Sequence, residues 1–286
     1  MDCRVNDDKI VLKKNGKSFY WAGKFLPKEC INRAAELYSF CRILDDIADS
    51  EKLNPLKDLN NIRTNIQKKK FKDIEIIYSI KYPKFLNSCS NKVVIDLING
   101  LILDQKAILF KKEEELIRYS YHVAGTVGIM MCDALKCNNG LAKSFAIDLG
   151  IAMQLTNIAR DVCEDKARNR QYVKHDFSSI RSLIDDSQAF YEKSFKSISY
   201  IPLKSRFSVI VARRVYRKIG DYILKQNNID NYNKAGKIYV PVFEKVIQTF
   251  LSIIDFIKLL FIKNLNYDNQ LNHNILEQEI NLNERI

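Results

Sequence analysis

Apolar residues recur every three to four positions along most of this chain, the spacing that lays one apolar stripe along a helix. The pattern predicts a long helix over 29–50, broken by Asn54-Pro55. A weakly amphipathic stretch reaches Phe71, and Tyr82-Pro83 marks a turn. Helices are predicted over 84–108, 113–136 and 140–166, with Asn138-Asn139-Gly140 as the turn between the last two. The polar, basic segment 166–177 has no periodicity and reads as a loop. Helical spacing returns over 178–200, 203–227 and 240–263, and from Asn264 the chain is polar, Asn-rich and expected to fray. No composition shift or internal repeat marks a boundary. The expectation is an all-α, single-domain helical bundle, with a core over about 14–263 and a tail over 264–286, whose helices face a common central cavity.

Two places break the apolar logic. At about 100° per residue, Tyr38, Arg42, Asp45 and Asp49 share one narrow stripe, and so do Gln154, Asn157, Asp161 and Asp165. Each stripe runs through a helix that otherwise reads as core, with Leu37, Phe40 and Leu44 in the first and Ile151, Leu155 and Ile158 in the second. Carboxylates enter an interior when they are paired, hydrogen-bonded or bound to metal. One isolated Asp-x-x-x-Asp reads as a surface salt-bridge network; two such stripes, each with an arginine, read as a site that needs a cation.

Composition narrows the class. Nine glycines and five prolines in 286 residues are few for a sheet protein and suit helices. The formal net charge of +12 implies an anionic partner: nucleic acid, a membrane surface or a phosphorylated substrate. No nucleic-acid module accompanies it, and Lys68-Lys69-Lys70 and Lys111-Lys112 read as solvated helix ends or turns. The seven cysteines, at 3, 30, 41, 89, 132, 137 and 163, are odd in number and lack Cys-x-x-Cys spacing. Cys41 and Cys163 read as reduced core residues, and a reducing cytoplasm is the simplest compartment. The start lacks a signal-peptide apolar region, and the apolar stretch 250–262, interrupted by Asp255 and Lys258, is too short and charged to span a bilayer. Membrane contact, on this reading, is peripheral.

The i, i+4 carboxylate pairs match a hard, oxygen-seeking ion such as Mg²⁺, which takes one or two carboxylates and fills its shell with water and substrate phosphates. Arg42 and Arg160 lie close in sequence, with the geometry to grip phosphate oxygens. Carboxylates, arginines and amides together suit a diphosphate clamp. Between the stripes, Ala124, Gly125 and Gly128 interrupt a helix; close helix packing and room for a long ligand or local unwinding both explain them.

The run from Tyr38 to Asp49 resembles the first aspartate-rich motif of the squalene/phytoene synthase family, and the run from Gln154 to Asp165 resembles its second. The stretch from Tyr119 to Gly128 is similar to the family's central Tyr-x-Tyr-x-Val-Ala-Gly-Thr-Val-Gly sequence, and Lys17-Ser18-Phe19 to its N-terminal segment. The matches cover roughly residues 17–172 in the family's order. The resemblance implies an isoprenoid synthase-type bundle and a head-to-head prenyltransferase in carotenoid biosynthesis, joining two geranylgeranyl diphosphates to phytoene through a cyclopropyl diphosphate. It implies that Asp45, Asp49, Asp161 and Asp165 ligate Mg²⁺ (or Mn²⁺), with Asp46 and Asn157 supporting. Lys17, Ser18, Phe19, Arg42, Gln154, Asn157 and Arg160 would contact substrate. Tyr38 and Tyr119 would face the reacting carbons, and Val123, Ala124 and Gly128 would line the prenyl channel.

Two departures stand out. The family usually continues after Arg170 with Tyr, an aliphatic residue and Pro; here Tyr172-Val173 precedes Lys174, which predicts a less rigid loop. The C-terminal third matches only loosely, through Arg213, Tyr216 and Lys245, and no function is assigned there. A second enzymatic reading keeps the fold but joins two farnesyl diphosphates to squalene, dehydrosqualene or hydroxysqualene, with NADPH needed for squalene. A catalytically silent assembly factor would have lost some of the aspartates, and a basic nucleic-acid-binding protein leaves the acidic stripes unexplained. Expected partners are prenyl diphosphates and a downstream desaturase, with peripheral association at the inner face of the cell membrane and no nucleic acid.

Overall fold

In the computed structural model, residues 2–50, 54–88, 90–105, 109–110, 112–262 and 271–286 are described, and no strand occurs among them. The α-helices are α1 (Asp2–Asn15), α2 (Lys17–Gly23), α3 (Lys28–Ala48), α4 (Pro55–Gln67), α5 (Phe71–Tyr78), α6 (Asn91–Leu103), α7 (Glu113–Ser120), α8 (Thr126–Ala134), α9 (Gly140–Ala167), α10 (Phe177–Phe195), α11 (Leu203–Leu224), α12 (Ile229–Ala235), α13 (Val242–Leu260) and α14 (Leu271–Glu277). Helix α9 is the axis of the bundle; α8, α10, α11 and the turn before α8 pack around it. Helix α3 lies against α1, α4, α6 and α8. One apolar core runs through all of these but α1, from Leu37 and Leu44 through Ile98 and Ile151 to Val215 and Leu282.

The breaks read in the sequence turn out to be helix caps. Asn54 accepts from the Lys57 amide with Pro55 in the first turn of α4, and Asn139 accepts from the Ala142 amide at the start of α9. Asp176 accepts from the Ser179 amide at 2.7 Å and starts α10. Other predicted helices are divided. The stretch 84–108 is a 3₁₀ turn, Lys84–Ser88, then α6, started by Ser90 accepting from the Lys92 amide. The stretch 113–136 is α7 and α8 joined by a π-helical turn, Tyr121–Gly125, and 178–200 ends in a 3₁₀ turn, Lys196–Tyr200. Apolar spacing alone carried across these joints, because a π or 3₁₀ turn changes the phase of the stripe without interrupting it.

The tail corrects the expectation of fraying. Residues 264–270 lie outside the described residues, but beyond them Leu276, Ile280 and Leu282 are buried in the main core. Arg285 donates to both oxygens of buried Asp96, at 2.9 and 3.3 Å, and Arg118 pairs with Glu279 at 3.0 Å. Cys41 and Cys163 are both half-buried against the main core, with Cys163 3.0 Å from Asn233, whereas Cys30, Cys132 and Cys137 are buried. Cys89 and Lys111 lie outside the described residues. Lys68, Lys69 and Lys70 form an exposed turn between α4 and α5.

Candidate active site

Helices α3 and α9 bring the two stripes to one end of an internal cavity of about 350 Å³. Tyr38, Asp45, Gln154 and Asn157 line that end, while the walls beyond it are apolar, with Val123, Ala124, Val127 and Met131 on one side and Leu149 and Met153 on another. Phe19 lines the cavity and stacks on Tyr216 with ring centroids 4.9 Å apart. Lys17 is exposed above the Tyr239 ring, at 5.2 Å, and Ser18 is half-buried beside it.

The small-residue run does two jobs. A Cβ on Gly128 would stand 2.1 Å from the Ala146 carbonyl oxygen, and one on Gly150 would stand 2.3 Å from that of Ala124. These glycines therefore let α8 and the π turn touch the backbone of α9. The π turn adds local unwinding and turns Val123 and Ala124 into the cavity, a device common at functional sites.

At the acidic end the charges are partly paired. Arg160 grips Asp161 through Nε at 2.8 Å and Nη2 at 2.6 Å. Arg42 pairs with Asp46 at 2.5 Å. Asp49 receives Arg168 at 3.0 Å and Arg170 at 2.8 Å, so the loop after α9 is tied to the end of α3. These ties, with Tyr172, pin the loop that lacks the family's proline.

Among the described residues no arginine or lysine forms an ion pair with Asp45 or Asp165, and their environment pushes both carboxyls up to about 7. Burial is the main cause for each. Asp49, Asp104 and Asp46 add to it at Asp45 against Arg42, and Asp161 and Asp104 add to it at Asp165 against Arg170.

Asp104, which the sequence reading missed, thus acts on both stripes. It is held by two buried tyrosines: Tyr172 donates to Oδ1 at 2.7 Å and Tyr119 to Oδ2 at 2.9 Å. Burial raises the Asp104 carboxyl, and these hydroxyls with Arg170 oppose the rise. Tyr119 therefore stands beside the acidic end with its hydroxyl on Asp104, and is not among the side chains lining the cavity. The C-terminal third also reaches the site, where no function had been assigned. Tyr216 donates to Asn157 Oδ1 at 2.8 Å, and Lys237 lies 3.4 Å from Asp161 and 2.6 Å from Glu164. By contrast Arg213 serves the scaffold, donating to the Tyr191 carbonyl at 3.0 and 2.7 Å.

Among the described residues, no three His, Cys, Asp or Glu side chains converge closely enough to hold an ion by themselves. The donor set still fits Mg²⁺, which needs few protein carboxylates and completes its shell with phosphate and water. Excess buried negative charge around Asp45, Asp104 and Asp165 is what such an ion would neutralise.

Carboxylates that call for a cation, set beside arginines at one end of an apolar cavity, suit a substrate with a charged head and a long hydrocarbon tail. That pairing within an all-α bundle defines a prenyltransferase of the isoprenoid synthase type. The sequence profile of the squalene/phytoene synthase family matches residues 12–178, and the chain belongs to that family. It is 27% identical over 243 residues to a 15-cis-phytoene synthase from Paracoccus sp., covering 75% of this chain and 80% of the relative. A 15-cis-phytoene synthase from Pantoea ananas is 26% identical over 238 residues, covering 71% and 77%. Among solved structures, a dehydrosqualene synthase in complex with ligand superposes with a TM-score of 0.73 at 26% identity, covering 89% of this chain and 96% of that one. The squalene synthase HpnC from Alicyclobacillus acidocaldarius shares the fold at a TM-score of 0.63 and 18% identity, over 79% and 96%.

Proposed function

We propose that the protein joins two geranylgeranyl diphosphates head to head and releases phytoene. The observation that carries this reading is the cavity itself, polar at Asp45, Gln154 and Asn157 and apolar along the rest of its length. The likeness to bacterial 15-cis-phytoene synthases over most of the chain supports the choice of product.

Mg²⁺ bound by Asp45, Asp49, Asp161 and Asp165 would supply positive charge to the leaving diphosphates. Arg42 and Arg160 are positioned to bind phosphate oxygens, Arg160 by exchanging Asp161 for substrate. Asn157, oriented by Tyr216, and Gln154 face the same end of the cavity. The apolar walls, from Val123 and Ala124 to Met153, keep water from the carbocations. In the proposed sequence the C1–O bond of one substrate breaks, and the second substrate's C2–C3 double bond attacks C1. Loss of a proton closes the cyclopropane. Departure of the second diphosphate then drives rearrangement to the 1–1′ bond, and a further proton loss gives phytoene without a reductant.

The fold match to a dehydrosqualene synthase favours one alternative, condensation of two farnesyl diphosphates in the same cavity. The test is to incubate purified protein and Mg²⁺ with each diphosphate, with and without NADPH, and to identify the hydrocarbon. Phytoene from geranylgeranyl diphosphate alone is expected. Product only from farnesyl diphosphate would overturn the substrate assignment, and turnover of neither would favour a silent homologue. Replacing Asp161 by Asn should remove most activity with the helical content unchanged; an active variant contradicts the proposed site.

A further inference from the structure

Helix α13 is turned inside out. The side chains it buries are Lys245, Gln248, Ser252, Asp255 and Leu259, and only Leu259 among these is apolar. Arg214 of α11 fixes this orientation by donating to Gln248 at 3.0 Å and to Asp255 at 2.5 Å. Outward stand Phe243, Ile247, Phe250, Ile254, Ile257 and, at its C-cap, Phe261, each between 46% and 78% exposed. A surface helix in water ordinarily presents the opposite faces. A contiguous apolar stripe of this kind marks a contact with protein or membrane.

Three features identify the contact as lipid. First, cations border the stripe. Lys258 is 65% exposed on α13 itself. Near the other edge exposed Lys24 stacks on Trp21 at 4.7 Å, and the Trp21 indole N–H donates to Thr249 of α13 at 3.0 Å. An apolar stripe with basic edges, on a chain of net charge +12, complements an anionic bilayer surface. A symmetric contact between two copies would instead set these like charges against each other. Second, no helix among the described residues is long and apolar enough to cross a membrane, so α13 would lie along the surface. Third, the cavity approaches this helix. Leu26, Ile198, Ile201 and Val209 line the cavity and pack in the same small cluster as Leu259 and Phe256 of α13.

We propose that α13 is a membrane-docking helix that seats the protein on an anionic bilayer, with the apolar end of the cavity beside the acyl chains. A cavity that opens toward lipid suits the proposed reaction, whose product is a hydrocarbon, and rests on that reading; the docking surface does not depend on it.

The test is co-sedimentation of the full chain with vesicles of phosphatidylcholine alone or mixed with phosphatidylglycerol, without substrate, so that its outcome is separate from that of the activity assay. The wild type should sediment with the mixed vesicles and be released by salt. Replacing Phe250 and Ile254 by Glu should lower the partition coefficient about 100-fold. The same change at exposed Ile76 and Ile77 of α5 should leave it unaltered. Circular dichroism checks the fold, and Phe250→Ala, expected to cost about ten-fold, serves if the double variant misfolds. Equal sedimentation of the α13 variants and wild type would overturn the proposal. So would a wild type that ignores vesicles and forms a dimer, by light scattering, that the α13 variant splits.

Discussion

Without a cation, Asp45 and Asp165 should make the folded protein lose stability as pH rises, and Mg²⁺ should restore it. Both carboxyls are held at about 7 against an ordinary 3.8, so between those values the folded chain binds more protons than the unfolded chain. The penalty is absent below about pH 4, grows through the interval and is complete above about pH 7. For Asp45 its ceiling is about 4 kcal/mol. Asp165 is more open to solvent and contributes about half as much; both face Asp104, so the two are not additive. A combined loss of about 5 kcal/mol corresponds to roughly 10 °C in Tm for a chain of this size. Mg²⁺ binds the ionised carboxylates, so it should raise Tm at about pH 8 and do little at about pH 5.

Other groups titrate over the same range, so the comparison that isolates the effect is wild type against Asp45→Asn. Thermal unfolding by circular dichroism, at both pH values with and without Mg²⁺, supplies it. The variant has no charge to bury at this position and should melt above the wild type at the higher pH without metal, with most of the Mg²⁺ response gone. An undiminished Mg²⁺ response in the variant would refute the reasoning, and so would a metal-free wild type that outlasts it at that pH.

Asp104→Asn should lower kcat at least about ten-fold while Tm moves by no more than about 1 kcal/mol equivalent, because losing two charge-assisted tyrosine bonds is offset by losing a buried charge. Steady-state kinetics with a parallel melt checks this, and full activity would remove Asp104 from the site. Tyr216→Phe keeps the stack on Phe19 but loses the bond to Asn157, so kcat/KM should fall about three- to ten-fold. Gly128→Ala drives a methyl group into the Ala146 carbonyl and should destabilise by about 1–3 kcal/mol, read by urea unfolding. A neutral effect there would mean that α8 and α9 separate at little cost.

Much of the site was legible because it lies on single helices. Asp45 and Asp49, or Asp161 and Asp165, share a face by helical geometry alone, and the apolar residues around them showed that this face turns inward. Asp104 gave no such signal: it stands at the C-cap of α6 with no second carboxylate on its stripe. Its meaning comes from Tyr119 and Tyr172, 15 and 68 residues away. Arg170, Tyr216 and Lys237 were equally silent, since each acquires its partner across a long stretch of chain.

By itself, then, the sequence determined the helices and the paired acidic stripes, properties of a local repeat of 3.6 residues, and it carried the family's motifs as a likeness of residues. Tertiary packing decided where those stripes point. It tied α3 to the loop after α9 through Asp49, placed Asp104 where it acts on both stripes, and brought α11 to Asn157. It also set α13 with its apolar face to the outside. Periodicity says that a helix has two unlike faces; only the neighbours, here Arg214 reaching Gln248 and Asp255, decide which one is buried.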